Sequence, residues 1–129
     1  MKIEHVAWQV ADPVAAAEWY VRHLGLQVVR QSGPPANMRF LADSTGRTLL
    51  EIYHNPKAPM PDYPSMSPLL LHLAFVVEDV AAEQARLVAA GASVVNPYAA
   101  TPSGDQMAML RDPWGFAIQL LRRKEPMPG

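Results

Sequence analysis

Apolar and polar residues alternate along the first ten residues of the chain. From Lys2 to Val10 this period of two places Val6 and Trp8 on one face and His5 and Gln9 on the other. Such alternation is typical of a β-strand with one buried face. We therefore predict a strand here, with a histidine on its mixed face.

A helical pattern follows directly. Asp12 and Pro13 provide an N-cap and a first-turn proline, and apolar residues then recur at helical spacing until Gly25. The pattern predicts one amphipathic helix that ends at this glycine.

The rest of the first half predicts short strands separated by turn residues. The predicted strands are Leu26–Arg30, Met38–Ala42 and Thr48–Tyr53. From His54 to Pro68 prolines recur too often for a helix or a central strand, so we predict an extended connector there.

After the connector the same order of elements begins again. We predict a strand at Leu69–Val77, a helix from Asp79 to Ala90, further strands at Ser93–Asn96, Gln106–Leu110 and Phe116–Leu121, and a polar loop at Ala99–Asp105.

The two halves are copies of one module. His5 and His72 each begin a His-X-Ala sequence, and their separation equals that between Asp12 and Asp79. Each half has the order strand, helix, strand, strand, strand. We expect an α+β fold in a single domain spanning 1–129, with modules at 1–55 and 69–122, a connector at 56–68 and a tail at 123–129.

Composition narrows the classes of function. The chain has 129 residues, a net charge of -1 and no cysteine, so we expect no nucleic acid or membrane partner and no thiolate chemistry. The charged opening residues and the lack of a long apolar run predict a cytoplasmic protein without a signal peptide.

Four polar residues occupy equivalent places in the two modules. His5 and His72 lie on the first strands, and Glu51 and Gln119 lie on the last strands between apolar residues. Each has an ordinary explanation, such as a hydrogen-bonded structural histidine or an edge-strand carboxylate in water. Because all four recur in register, we predict that they bind one metal ion.

The chain resembles the vicinal oxygen chelate superfamily, which contains glyoxalase I, extradiol dioxygenases, methylmalonyl-CoA epimerase and antibiotic-resistance proteins. The resemblance covers nearly the whole chain. It depends on the order along the chain of His5, His72 and three sequence segments, which are DPVAAAEWYVRHLGL, FLADSTGRTLLEIYHNP and RDPWGFAIQL. It implies paired βαβββ modules forming a cup-shaped mixed sheet around a central divalent metal.

The resemblance to glyoxalase I implies a metal-dependent lyase or isomerase. His5, Glu51 and His72 match three of its ligand positions, and Gln119 stands where it has a second glutamate. An amide cannot accept a proton at neutral pH, so Glu51 is the candidate catalytic base. The nitrogen and oxygen donors suit Zn²⁺, Ni²⁺, Fe²⁺, Mn²⁺ or Co²⁺.

Five residues are candidates for substrate binding. Asn55 matches an asparagine of glyoxalase I, whereas Gln9 replaces an arginine of that enzyme. Arg39 could bind a substrate carboxylate, and Met107 and Met109 share a strand face that could line a pocket. A surface arginine and core methionines are the ordinary alternatives.

Two other functions remain open. Two histidines and a carboxylate are also the ligand set of non-haem iron oxygenases, although extradiol dioxygenases have their carboxylate ligand on the final strand. A ligand-sequestering protein similar to the bleomycin-resistance proteins would need no catalytic metal. We expect a small-molecule substrate and, because many relatives are dimers, a homodimer.

Overall fold

A computed structural model describes residues 1–47 and 49–128. The predicted first residue of the fourth strand, Thr48, and the last residue of the predicted tail, Gly129, lie outside them. The chain divides into two compact units, Met1–Pro61 and Asp62–Gly129. The predicted connector is therefore shared, since its first residues belong to one unit and the rest to the other.

The first unit contains one βαβββ module. Its elements are β1 (Val6–Gln9), α1 (Pro13–Leu24), β2 (Gln27–Gln31), β3 (Arg39–Ala42) and β4 (Leu49–Tyr53). The sheet order is β1-β4-β3-β2, with β1 parallel to β4 and the other pairs antiparallel. Tyr20 of α1 and Leu41 and Ile52 of the sheet are completely buried, and they form the core of this unit.

The second unit repeats the arrangement. Its elements are a 3₁₀ helix (Tyr63–Ser65), β5 (Leu73–Val76), α2 (Val80–Ala89), β6 (Ser93–Ala100), β7 (Gln106–Arg111) and β8 (Ala117–Arg122). The sheet order is β5-β8-β7-β6, with β5 parallel to β8. Val80 and Leu87 of α2 and Ile118 of β8 are among its most buried residues.

The α+β class and the two βαβββ modules are thus confirmed. Hydrogen bonds join the strands into two four-stranded sheets, neither of which is closed. The helix starts also agree with the sequence, because Asp12 and Asp79 each accept a hydrogen bond from the backbone three residues later, at 3.0 and 2.9 Å. Among the described residues, no helix is long and apolar enough to cross a membrane.

The strand limits differ from the prediction at both histidines. β1 begins at Val6 rather than Lys2, and β5 begins at Leu73 rather than Leu69. A strand forms only where it is hydrogen-bonded to a neighbouring strand. Pairing of β1 with β4 begins at Val6, and pairing of β5 with β8 begins at Leu73. His5 and His72 therefore lie one residue before their strands, where the backbone is less constrained.

Two further segments were predicted incorrectly. The connector is not wholly extended, since it contains the 3₁₀ helix with the buried Tyr63. β6 continues to Ala100 and includes the start of the predicted loop at Ala99–Asp105. Pro97 is tolerated within it because β6 is an edge strand and its register shifts between Asn96 and Ala99.

Candidate functional site

The first unit brings His5 and Glu51 together. Ala7 lies opposite Glu51 in the β1–β4 ladder, and His5, two residues earlier, projects to the same face. His5 Nε2 lies 3.1 Å from Glu51 Oε2. The side chains are 34% and 17% exposed, so the pair is open to solvent while the carboxylate is mostly covered.

The orientation of His5 is fixed by a second carboxylate and an aromatic ring. Its Nδ1 contacts the carboxylate of Glu4, and the ring packs edge-on against Phe40 with centroids 5.2 Å apart. The hydrogen bond to Glu4 raises the pKa of His5, the charges of Glu4 and Glu51 add to this effect, and desolvation opposes it. Two carboxylates at one imidazole favour a cation at this position.

In the second unit, His72 is exposed and its Nδ1 lies 2.8 Å from the carbonyl oxygen of Pro68. Ala74 lies opposite Gln119 in the β5–β8 ladder. Strand alternation therefore assigns the imidazole of His72 and the half-buried amide of Gln119 to one face.

The two histidines share one feature that favours metal binding. A carbonyl oxygen only accepts hydrogen bonds, so Nδ1 of His72 carries a proton, and in the neutral imidazole the lone pair is then on Nε2. Nδ1 of His5 likewise faces an acceptor. Metal-binding histidines usually donate their second nitrogen to a carboxylate or carbonyl oxygen, which fixes the ring and its tautomer.

The donor set fits a divalent metal ion. Imidazole nitrogen, carboxylate oxygen and amide oxygen are ligands of the late first-row divalent ions. Within residues 1–47 and 49–128, three or more His, Asp or Glu side chains do not cluster into one metal site. His5 and Glu51 are therefore a pair of donors, and any complete site needs further ligands.

Gln9 has a structural role that its position alone did not indicate. Its buried side chain donates to the carbonyls of Ala58 and Pro59 at 3.2 and 2.9 Å and accepts from the amide of Asn55 at 2.6 Å. It therefore holds the start of the connector against β1. Asn55 Oδ1 in turn accepts from Lys57 N, which closes a local turn.

Arg39 lies on the opposite face from Glu51, because it pairs with Ile52 in the β3–β4 ladder. Its Nη1 donates to the carbonyls of Ser32, Asn37 and Met38 at 2.9 to 3.0 Å. Arg39 was predicted to bind a substrate carboxylate, and its placement directs it away from the face of Glu51.

Met109 lies opposite Gln119 in the β7–β8 ladder, and Met107 lies opposite Leu121. The two methionines thus share a strand face, as predicted, and this face is the one that carries Gln119. Met109 is buried and Met107 is partly exposed, so Met107 is the more accessible of the two to a ligand.

The sequence and the fold were compared with known proteins. Residues 2–120 match the model of the Glyoxalase/Bleomycin resistance protein/Dioxygenase superfamily. The chain belongs to this superfamily. Its members generally act on small molecules, often bind a divalent metal ion and often form dimers. No curated protein sequence matches this chain at a significant level.

Solved structures of superfamily members share the fold over most of the chain. A glyoxalase family protein from Enterococcus faecalis is 31% identical, with 94% of this chain and 97% of that chain covered and a TM-score of 0.70. A glyoxalase family protein from Bacillus cereus has a TM-score of 0.80 at 16% identity, over 94% and 93%. A glyoxalase I mutant from Zea mays has a TM-score of 0.74 at 19% identity, over 96% of this chain and 46% of that chain.

Sequence reasoning missed the groups that orient the two histidines. Strict alternation points Glu4 away from His5, but β1 begins only at Val6 and so Glu4 reaches Nδ1. The contact of His72 with the carbonyl oxygen of Pro68 was not predictable, because the sequence pattern predicts a regular strand from Leu69 onward. The one signal in the sequence was that Glu4, a carboxylate, directly precedes His5.

Proposed function

We propose that this protein is a metal-dependent lyase or isomerase similar to glyoxalase I. The substrate is a small molecule that chelates the metal through two adjacent oxygens. The observation that carries the proposal is the pairing of His5 Nε2 with Glu51 Oε2 at 3.1 Å, with Nδ1 of each of the two candidate histidines held by an acceptor. Membership of the superfamily supports it.

In this proposal one divalent ion is held by His5, Glu51, His72 and Gln119. The ion supplies a positive charge that stabilises negative charge developing on the two chelated oxygens. Zn²⁺, Ni²⁺, Fe²⁺, Mn²⁺ and Co²⁺ all accept this donor set.

Glu51 is the proposed base. Its carboxylate accepts a proton from substrate carbon, whereas the amide of Gln119 has no basic lone pair at neutral pH. The carboxylate is mostly covered yet lies beside an exposed imidazole. Activity that survives in Glu51→Gln with metal still bound would rule out this role.

The reaction class is tested by reconstituting metal-free protein with each of the five ions. We expect turnover of methylglyoxal with a thiol, loss of activity with a chelator, and recovery when metal is returned. His5→Ala should abolish turnover, whereas His23→Ala, which alters a histidine that packs against Trp19 of α1 at a tilted angle, should not.

The same samples test the iron dioxygenase, whose two-histidine, one-carboxylate ligand set this chain also contains. Turnover of catechol with Fe²⁺ and oxygen, and of no dicarbonyl, would replace the proposed reaction with ring cleavage. A wild-type protein that binds no metal and turns over neither substrate would favour ligand sequestration.

A further inference from the structure

A bulge in β2 changes the direction of Arg30. Val28 pairs with Leu41, but the next pair is Arg30 with Phe40, so Val29 has no residue opposite. In a regular strand Val28 and Arg30 would share a face. The extra residue instead places Arg30 on the face of its partner Phe40.

That face is the one that carries Glu51. Phe40 pairs with Glu51, and Glu51 pairs with Ala7 of β1. Arg30, Phe40, Glu51 and Ala7 thus form one row across all four strands. Strands are spaced about 4.8 Å apart, so the backbone of Arg30 lies about 10 Å from that of Glu51.

The opposite face of the sheet, toward α1, carries a different set of side chains. A groove of about 480 Å³ lies between α1 and the sheet, and its lining includes Val28, Gln31 and Arg39 but not Arg30. Arg39, the arginine that the sequence favoured, lines this groove. The register thus assigns Arg30, and not Arg39, to the face of the candidate site.

Arg30 is available to a ligand. It is exposed, and although its backbone lies in the ladder with Phe40, its guanidinium group makes no hydrogen bond or ion pair with any residue that the structure describes. A guanidinium group presents paired N–H donors that match a carboxylate or a phosphate. The ring of Phe40 covers the space between Arg30 and the His5–Glu51 pair with an apolar surface.

We propose that Arg30 binds an anionic group of the substrate, a carboxylate or a phosphate, and thereby selects acidic substrates. The anionic group would lie several bonds from the two oxygens held near His5 and Glu51. This inference rests on the proposed function, because it places the reacting end of the substrate at that pair.

Three hydroxamates test this inference on metal-loaded protein, since a hydroxamate chelates a metal through two adjacent oxygens. Acetohydroxamate is neutral beyond the chelating group, succinic acid monohydroxamate adds a carboxylate, and phosphonoacetohydroxamate adds a phosphonate. Calorimetry should show that wild type prefers an anionic probe over acetohydroxamate by roughly two- to fivefold, with the preference reduced at high salt. The preferred probe distinguishes a carboxylate from a phosphate.

The variants decide whether Arg30 is responsible. Arg30→Gln should lose the preference and leave the affinity for acetohydroxamate unchanged. Arg22→Gln removes the same charge from the exposed surface of α1 and should retain the preference.

Each other outcome contradicts the inference. Equal binding of all three probes by wild type, or a preference that persists in Arg30→Gln, would overturn the role of Arg30 and leave the metal site intact. Failure of the wild-type protein to bind metal would overturn both this inference and the proposed function.

Discussion

Gly115 is the position where a single methyl group is expected to do most damage to the second unit. It has a φ of +90°, and a Cβ added there would lie 2.4 Å from Cγ, 2.7 Å from Cδ and 2.8 Å from the backbone nitrogen of Pro64. Pro64 belongs to the 3₁₀ helix, whose first residue Tyr63 packs on Phe116 with ring centroids 5.1 Å apart. Gly115→Ala therefore forces this segment off the sheet or distorts the turn.

The equivalent glycine of the first module provides a matched control. Gly46 has a φ of +70°, but no heavy atom of the described residues lies within 4 Å of its added Cβ. Left-handed backbone strain of about 1 to 2 kcal/mol applies to both alanine variants. Overpacking adds about 1 to 3 kcal/mol at Gly115 alone, so we expect losses of about 1 to 2 kcal/mol at Gly46 and about 2 to 5 kcal/mol at Gly115.

Urea unfolding of the two variants measures this difference directly. Gly115→Ala should have the lower midpoint at an unchanged slope. Adding Pro64→Ala, which removes Cγ and Cδ, should recover part of the loss, because the two sites are coupled by contact. Equal losses at Gly46 and Gly115, or no recovery in the double variant, would refute the packing of the 3₁₀ helix on this turn.

Three further outcomes depend on single side chains. Gln9→Leu leaves backbone groups of the connector unpaired and should cost about 2 to 4 kcal/mol in urea unfolding, and an unchanged midpoint would contradict its bracing role. An NMR titration of metal-free protein should give His5 a pKa above its ordinary value, mainly because of its hydrogen bond to Glu4. Glu4→Gln should lower the pKa of His5, and a pKa that does not change in this variant would contradict the role of Glu4. Arg111→Met frees three carbonyls that Arg111 now binds and should speed proteolysis within residues 62–66, whereas Arg122→Met should not.

The sequence predicted the modules well because their signals are local. Alternation, the N-caps at Asp12 and Asp79 and the terminal glycine of α1 all act within a few residues of the chain. The same reasoning assigned Glu51 and Gln119 to sheet faces, since both lie within regular strands.

The sequence failed where pairing between distant residues decides the geometry. The starts of β1 and β5 depend on where the parallel strands β4 and β8 begin, so the positions of His5 and His72 just outside a strand were not predictable from alternation. The bulge that turns Arg30 toward the face of Glu51 is visible only in the β2–β3 register. Arg39 is the second residue of the predicted strand Met38–Ala42, and for this reason the sequence favoured it as the arginine that binds substrate. It lies on the opposite face of the sheet from Glu51.

Metal content of the purified protein tests most directly whether the two modules share one metal site. We expect about one divalent ion per chain by elemental analysis after dialysis, loss of that ion in His5→Ala and in His72→Ala, and full retention in His54→Ala. His54 contacts the carbonyl of Val10 instead of Glu51, which makes it a matched control. Two results would contradict the proposal that both modules supply ligands to one site. One is a wild-type protein that is purified without metal and binds none when divalent ions are added, and the other is full metal content in His72→Ala.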